Sequence, residues 1–196
     1  MEEQSIRTAE SIKIGKAKLR DIPEIQRLVN SFADRGDMLH RPLGELFETV
    51  RDFFVLRNEQ DEVVACAALH VNWGDLAEVK SVAVNEEQQG HGYGRLLVEA
   101  CLADARELEV PTVFALTYRP GFFQSLGFQR VDVEQLPRKV WGECYRCHKF
   151  PHCDETALVY QLSPADSSLV SGHGYGYHGN RPTAASSDDS VQSGVE

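Results

Sequence analysis

The stretch from 76 to 108 constrains this chain most. An apolar alternating run, Leu76 to Val84, passes through a polar turn into Gly90-His-Gly-Tyr-Gly94, and apolar residues then recur at helical spacing to Leu108. Strand, glycine loop and helix in that order leave successive backbone N–H groups unobstructed at a helix N-terminus, where the helix dipole adds positive potential. Such a junction cradles an anion. Its spacing narrows the choice: a P-loop requires Lys-Ser/Thr after the glycines, a dinucleotide fold requires G-x-G-x-x-G, and neither stands here. A pyrophosphate in another setting fits better. The same pentapeptide recurs at Gly172 to Gly176, with no strand before it and no amphipathic helix after it. Context, rather than five letters, therefore carries the reading.

The rest of the chain alternates between strand-like and helix-like periodicity, which predicts an α/β or α+β sheet with covering helices. Ile12 to Leu19 reads as a strand, and Asp21-Ile-Pro-Glu24 as an N-cap opening a helix with Ile22, Ile25, Leu28, Val29 and Phe32 inward. A second helix follows Arg41-Pro42 through Leu43, Leu46, Phe47 and Val50. Phe53 to Leu56 and Val63 to Val71 are strands joined by a polar turn. The long helix, 91–108, is expected to bury Leu96, Leu97, Ala100, Cys101, Ala105 and Leu108. Pro111 ends it, and Thr112 to Thr117 is again a strand. A short helix from Pro120 to Leu126, a stop at Gly127 and strands at Phe128 to Val133 and Thr156 to Leu162 complete the body.

With 196 residues, of which 42% are hydrophobic, one domain with a real core is expected. Residues 1–11 read as a flexible N-terminus. Residues 163–196 are rich in Ser and Gly and poor in large aliphatics, so they read as a disordered tail. A net charge of -10 argues against a nucleic-acid or anionic-membrane surface. No apolar run approaches the roughly 20 residues that span a bilayer. The start lacks a basic segment followed by an apolar one, so a cytoplasmic protein is expected. Cys66 and Cys101 lie in apolar surroundings and read as small buried hydrophobes.

With Gln89, Gly92 and Gly94 placed after Val82-Ala83-Val84, and with Leu126-Gly-Phe128 near the end of the body, the sequence resembles the GNAT superfamily of acetyl-CoA-dependent N-acetyltransferases from about Ile12 to Leu162. The resemblance implies a central, mixed, mostly antiparallel splayed sheet of six to seven strands flanked by about four helices. It also implies acetyl-CoA as co-substrate, with the pantetheine arm added along the strand 76–84. Val82, Ala83, Val84, Gln89, Gly90, His91, Gly92, Tyr93, Gly94, Arg95 and Phe123 are the implied cofactor contacts. Within the superfamily, Leu39-His-Arg41, the run Ala67 to Glu78, Phe114 to Thr117 and Phe122-Phe123 resemble short amino-acid N-acetyltransferases of the N-acetylglutamate synthase type. That likeness implies a small-molecule amine as partner, L-glutamate foremost, and Arg41, His70 and Thr117 as its contacts. The larger synthases carry Lys where this chain has His70. The sequence accommodates either a monomer or a homodimer.

Transfer to an α-amine needs a proton acceptor, a held nucleophile and donors for an oxyanion. Glu78, on the strand expected to carry the thioester, is the candidate base; its alternative is a solvated carboxylate paired with Lys80. Arg41 is a candidate bidentate carboxylate fork, or else a solvated loop residue. Many members of the superfamily place a Tyr where this chain has Phe123, and Tyr118 is nearby in sequence. The oxyanion donor is expected to be a backbone N–H near Val82. Within the segment 136–155, Cys144, Cys147 and Cys153 form C-x2-C-x5-C, which suits a structural Zn(II) or stands as reduced, unliganded thiols. Two other acceptor classes stay open, another small amine or a protein amine. So does a non-catalytic acyl-CoA or amino-acid sensor.

Overall fold

Alternating apolar residues place strands on both sides of each polar turn, and their pairing builds the body. The structure is a computed structural model that describes residues 12–136 and 154–162. Residues 1–11, the serine-rich segment 163–196, and Cys144, Cys147 and Cys153 lie outside the described residues. In chain order the elements are β1 (Lys13–Lys16), α1 (Ile22–Ala33), α2 (Leu43–Glu48), β2 (Phe53–Arg57), β3 (Val63–Trp73), β4 (Leu76–Val84), α3 (Tyr93–Glu107), β5 (Thr112–Thr117), α4 (Pro120–Gln124), β6 (Gln129–Arg130) and β7 (Thr156–Gln161). Short 3-10 turns precede α1, β2, α3 and the end of the first described segment.

The described strands form one seven-stranded sheet in the order β1-β2-β3-β4-β5-β7-β6. Every neighbouring pair is antiparallel except β4 and β5, which run parallel. That parallel pair is short. It joins Leu76 to Thr112, Ala77 to Val113 and Glu78 to Phe114, and goes no further. Beyond Glu78 the two strands part, while β3 accompanies β4 through Val84 and β7 accompanies β5 through Thr117. The sheet therefore opens like a V at its centre.

Each face has its own core. On one side α3 lays Leu97, Val98, Cys101, Leu102 and Ala105 on Leu56, Val64, Ala67, Leu69, Ala77 and Val79. On the other, α1 and Leu46 of α2 cover Phe53, Val55, Val63, Cys66, Ala68 and Ala83. Each fully buried side chain of this size contributes roughly 1.5–3 kcal/mol relative to leaving it exposed.

Several expectations are corrected by long-range packing. The inner face of α3 includes Val98 and Leu102, whereas Leu96 and Leu108 are exposed. The run 96–98 is apolar throughout, so helical spacing alone cannot set the phase; the sheet sets it. Leu43 and Phe47 are exposed, and of that stripe only Leu46 is fully buried. Asp21 precedes α1 but makes no side-chain cap; its carboxylate takes two hydrogen bonds from the Arg57 guanidinium, at 2.8 and 2.5 Å, and one from the Lys18 N–H at 2.6 Å. The first strand shortens to Lys13–Lys16, with all four residues exposed, and the strand expected over 128–133 pairs only at Gln129 and Arg130.

Candidate active site

Where β4 and β5 part, a cleft of about 440 Å³ opens, walled by Val79 to Val82 and Val84 of β4, the glycine loop, Leu116 to Arg119, Phe122 and Phe123, with Phe32, Asp37 and Met38 closing one side. The floor is backbone that has lost its β5 partner. A bulge shapes it further. Cys66 stands opposite Ala83 and Ala68 opposite Lys80, so Ser81 and Val82 together face Ala67. Ser81 takes the left-handed conformation at φ +53°. The extra residue changes the alternation: Val79 and Val82, three apart, both pack on the α3 side, while Ala83 turns to the α1 side.

The glycine loop caps α3 as the sequence predicted. Gly92 is the N-cap residue with φ +81°, and Gly90 has φ +82°. A Cβ at either would meet nothing within 4 Å, so these are open backbone surfaces at a helix N-terminus. A Cβ at Gly94 would lie 3.3 Å from the Phe122 ring, which is how closely α3 approaches α4. The Gln89 side chain donates to the Val84 carbonyl at 3.2 Å and ties the loop to the end of β4. Arg95 donates to the Ser125 carbonyl at 3.2 Å and also lines the cleft. The donor set suits a pyrophosphate: consecutive amides, a helix dipole and one guanidinium.

Of the implied cofactor contacts, Val82, Val84, Gln89, Gly90, Gly92, Tyr93, Gly94, Arg95 and Phe123 line the cleft. Ala83 faces the α1 core instead, and His91 lies outside the cleft wall with its ring stacked on Tyr93. Phe123 is buried edge-to-face between Phe122 and Phe128. Its position thus carries an apolar ring, and the phenols on the cleft wall are Tyr93 and Tyr118.

Glu78 sits at the last rung before the strands part, opposite His70 on β3 and Phe114 on β5. Its side chain is only 14% exposed and its carboxylate lies 3.9 Å from the Lys80 ammonium. The pairing with Lys80 is therefore present, but the carboxylate is not a solvated one. His70 in turn meets the Asp52 carboxylate through Nδ1 at 2.7 Å. Asp52 with His70 and Glu78 with Lys80 make two adjoining pairs, of which Lys80 lines the cleft and Glu78 and His70 do not.

Arg41 is buried at 5% exposure, not a solvated loop residue; its guanidinium pairs with Glu45 at 3.1 Å. Its backbone is fixed by the side chains of Asn30 and Gln26. It is not among the cleft-lining residues, whereas Thr117 is, with its hydroxyl accepting the Arg119 N–H at 3.0 Å. The sequence reading missed Phe32, Asp37 and Met38, which reach the cleft from the end of α1, and Glu155, which precedes β7. It named Lys80 only as a partner for Glu78, and the structure half-buries it and brings it to the cleft wall. Among the described residues no cluster of three His, Cys, Asp or Glu could hold a metal ion, and no helix is long and apolar enough to cross a membrane.

A splayed sheet with a glycine-capped helix over the split is the architecture of an acetyltransferase. The chain belongs to the acetyltransferase (GNAT) family, whose pattern it matches over residues 20–128. It is 39% identical to an uncharacterized N-acetyltransferase of Chlorobaculum tepidum over 149 residues, 76% of this chain and 96% of that one. It is 35% identical to an amino-acid acetyltransferase of Mycobacterium tuberculosis over 149 residues, 75% of this chain and 85% of the relative. Among solved structures, Rv2747 of Mycobacterium tuberculosis in complex with CoA and NLQ superposes with a TM-score of 0.67 at 30% identity, covering 77% of this chain and 99% of that one. The N-acetylglutamate synthase of Neisseria gonorrhoeae, complexed with coenzyme A and N-acetyl-glutamate, gives a TM-score of 0.71 at 26% identity; the match covers 80% of this chain but 36% of that longer one.

Proposed function

We propose that this enzyme transfers the acetyl group of acetyl-CoA to the α-amine of an amino acid, with L-glutamate as acceptor, yielding the N-acetylglutamate used in arginine biosynthesis. The observation that carries the reading is the cleft itself, in which an anion-binding helix N-terminus adjoins an unpartnered length of strand, with the half-buried Glu78 carboxylate at the rung where the strands part. The amino-acid acetyltransferase relative and the neighbour complexed with coenzyme A and N-acetyl-glutamate support the choice of co-substrate and acceptor.

The amides of Gly90 to Gly94 and Arg95 would hold the pyrophosphate, and the free edge of β4 the pantetheine arm. Acetyl-CoA, when bound, supplies the acetyl group as an activated thioester. The work of this chain's residues is positioning and proton transfer. Glu78 accepts the proton of the incoming ammonium at its carboxylate, since only the neutral amine is a nucleophile. The backbone of Ser81 and Val82 offers N–H donors to the acyl carbonyl. Thr117 supplies a hydroxyl at the acceptor end of the cleft. Arg41 and His70 are the candidates for the acceptor's carboxylates, each set behind the cleft wall and already paired, Arg41 with Glu45 and His70 with Asp52.

The test is release of CoA thiol from acetyl-CoA against each of the twenty amino acids. Release with glutamate at least about tenfold faster than with any other is the expected result; release only with lysine-rich peptides overturns it. Gly92→Val adds a further expected outcome. A β-branched side chain at φ +81° is strained by about 1–2 kcal/mol and places methyls over the cradle. Calorimetric affinity for CoA should drop at least about tenfold, as loss of one or two charge-assisted hydrogen bonds would cause.

A further inference from the structure

Cys66 looks in sequence like a small buried hydrophobe, and the structure does bury it fully, at 0% exposure. It also gives the thiol a hydrogen-bonding partner in the β4 bulge. The S–H donates to the Ser81 carbonyl at 3.7 Å, and Cys66 stands directly opposite Ala83 in the register. Ser81 and Ala83 flank Val82. At this point the regular ladder fails, because Ser81 and Val82 share one partner on β3. Ser81 is also held at φ +53°, a conformation that persists in a non-glycine residue only where its surroundings enforce it.

We propose that Cys66 is a positioning residue, a thiol clamp that closes the β4 bulge from behind and so fixes how the Ser81–Val82 backbone is presented to the cleft. Both residues line that cleft, while the clamp lies on the opposite, α1-covered side of the strand. The chemistry of a thiol suits the place. The long C–S bond reaches across the bulge, and sulfur both donates and accepts weakly. Burial pushes the thiol pKa up to about 12, so the S–H donor persists at any pH at which the enzyme works. Alanine would leave the Ser81 carbonyl without this donor, whereas serine keeps a donor and an acceptor on a shorter bond, so it restores the contact only in part. The functional part rests on the proposed use of the β4 backbone as donor to the acyl group.

The full chain carrying Cys66→Ala, Cys66→Ser or Cys66→Val tests it by three readings. One is kcat and KM for the best acceptor of the amino-acid panel, one is thermal stability, and one is amide exchange at Val82 and Ala83. For Cys66→Ala, kcat should fall about tenfold with acceptor KM within about twofold, the pattern of a displaced catalytic backbone. Cys66→Ser should recover at least about a third of kcat, and the Val82 amide should exchange faster in the alanine variant than in the serine one. Should the alanine variant not fold, serine is compared with valine, which fills the space without a donor and should be the slower. Equal kcat in the hydroxyl and apolar variants, or wild-type turnover in both, overturns the clamp. Absence of turnover by the unaltered enzyme on every amino acid would instead overturn the proposed function, and amide exchange then decides the clamp by itself.

Discussion

Glu78→Gln is expected to lower kcat about 100-fold while leaving the affinity for acetyl-CoA unchanged. The substitution is nearly isosteric, keeps a side chain that is 14% exposed in place between His70 and Phe114, and removes only the capacity to accept a proton. The glycine cradle lies at the far end of β4 and shares no side chain with this position. Calorimetry with CoA should therefore return the wild-type constant while stopped turnover assays show the loss. Turnover within about threefold of wild type would reduce Glu78 to a partner for Lys80 and move proton acceptance elsewhere in the cleft. Because Lys80 lies 3.9 Å away, the variant also leaves that ammonium without its anionic neighbour. A modest fall in thermal stability is thus compatible with the assignment, but a change in CoA affinity is not.

The second large effect concerns stability. Asp21→Ala is expected to destabilise the fold by about 3 kcal/mol, because it strips the carboxylate from Arg57, whose side chain is 11% exposed. Urea unfolding should report the loss as a lower midpoint, and thermal unfolding as a drop of roughly 10 °C. The double change Asp21→Leu with Arg57→Met should recover much of it, since the apolar pair has no charge to strand. The pH dependence has a definite sign. Burial pushes the Asp21 carboxyl up, but the Arg57 guanidinium, the Lys18 N–H and the charges of Arg57 and Arg20 outweigh it and hold the pKa below the ordinary carboxylate value. A depressed pKa means the unfolded chain takes up its proton first as pH falls. The contribution is therefore complete above about pH 5 and drains away below pH 4. The stability gap between wild type and Asp21→Asn should be constant from pH 6 to 8 and narrow in acid; a gap that widens in acid would contradict the pairing.

Much of this was legible in the residues. Leu76 to Val84 declares itself by its strand pattern and Thr112 to Thr117 by a short apolar run after the Pro111 break, and the structure begins and ends both strands there. Gly90, Gly92 and Gly94 declare the helix cap because positive φ and close approach leave few other residues eligible. What sequence could not supply is anything decided by a partner far along the chain. Asp21 looks like a cap until Arg57, 36 residues later, takes its carboxylate. Lys80 looks like a solvated strand residue until the parting of β4 from β5 turns it into cleft wall. The rung at which that parting occurs, Glu78 with Phe114, has no local signature, since residues on both sides of it are equally good strand formers.

The short parallel pairing has a further consequence for how the protein avoids sticking to itself. A sheet normally has two edges to protect; among the described residues this one also opens internally, along Val79 to Val84 of β4 and Ala115 to Thr117 of β5. The outer edges follow familiar defences: β1 is four residues long with a lysine at each end, and β6 is two residues, Gln129 and Arg130. The β4 side of this opening is neither short nor strongly charged, with Lys80 its one charged residue. Its protection is steric: the bulge at Ser81 breaks the regular spacing an invading strand would need, and α3 and α4 narrow the approach. On the proposed binding mode an extended ligand slim enough to lie in the cleft pairs with it, whereas a neighbouring molecule's strand would meet the bulge and both helices.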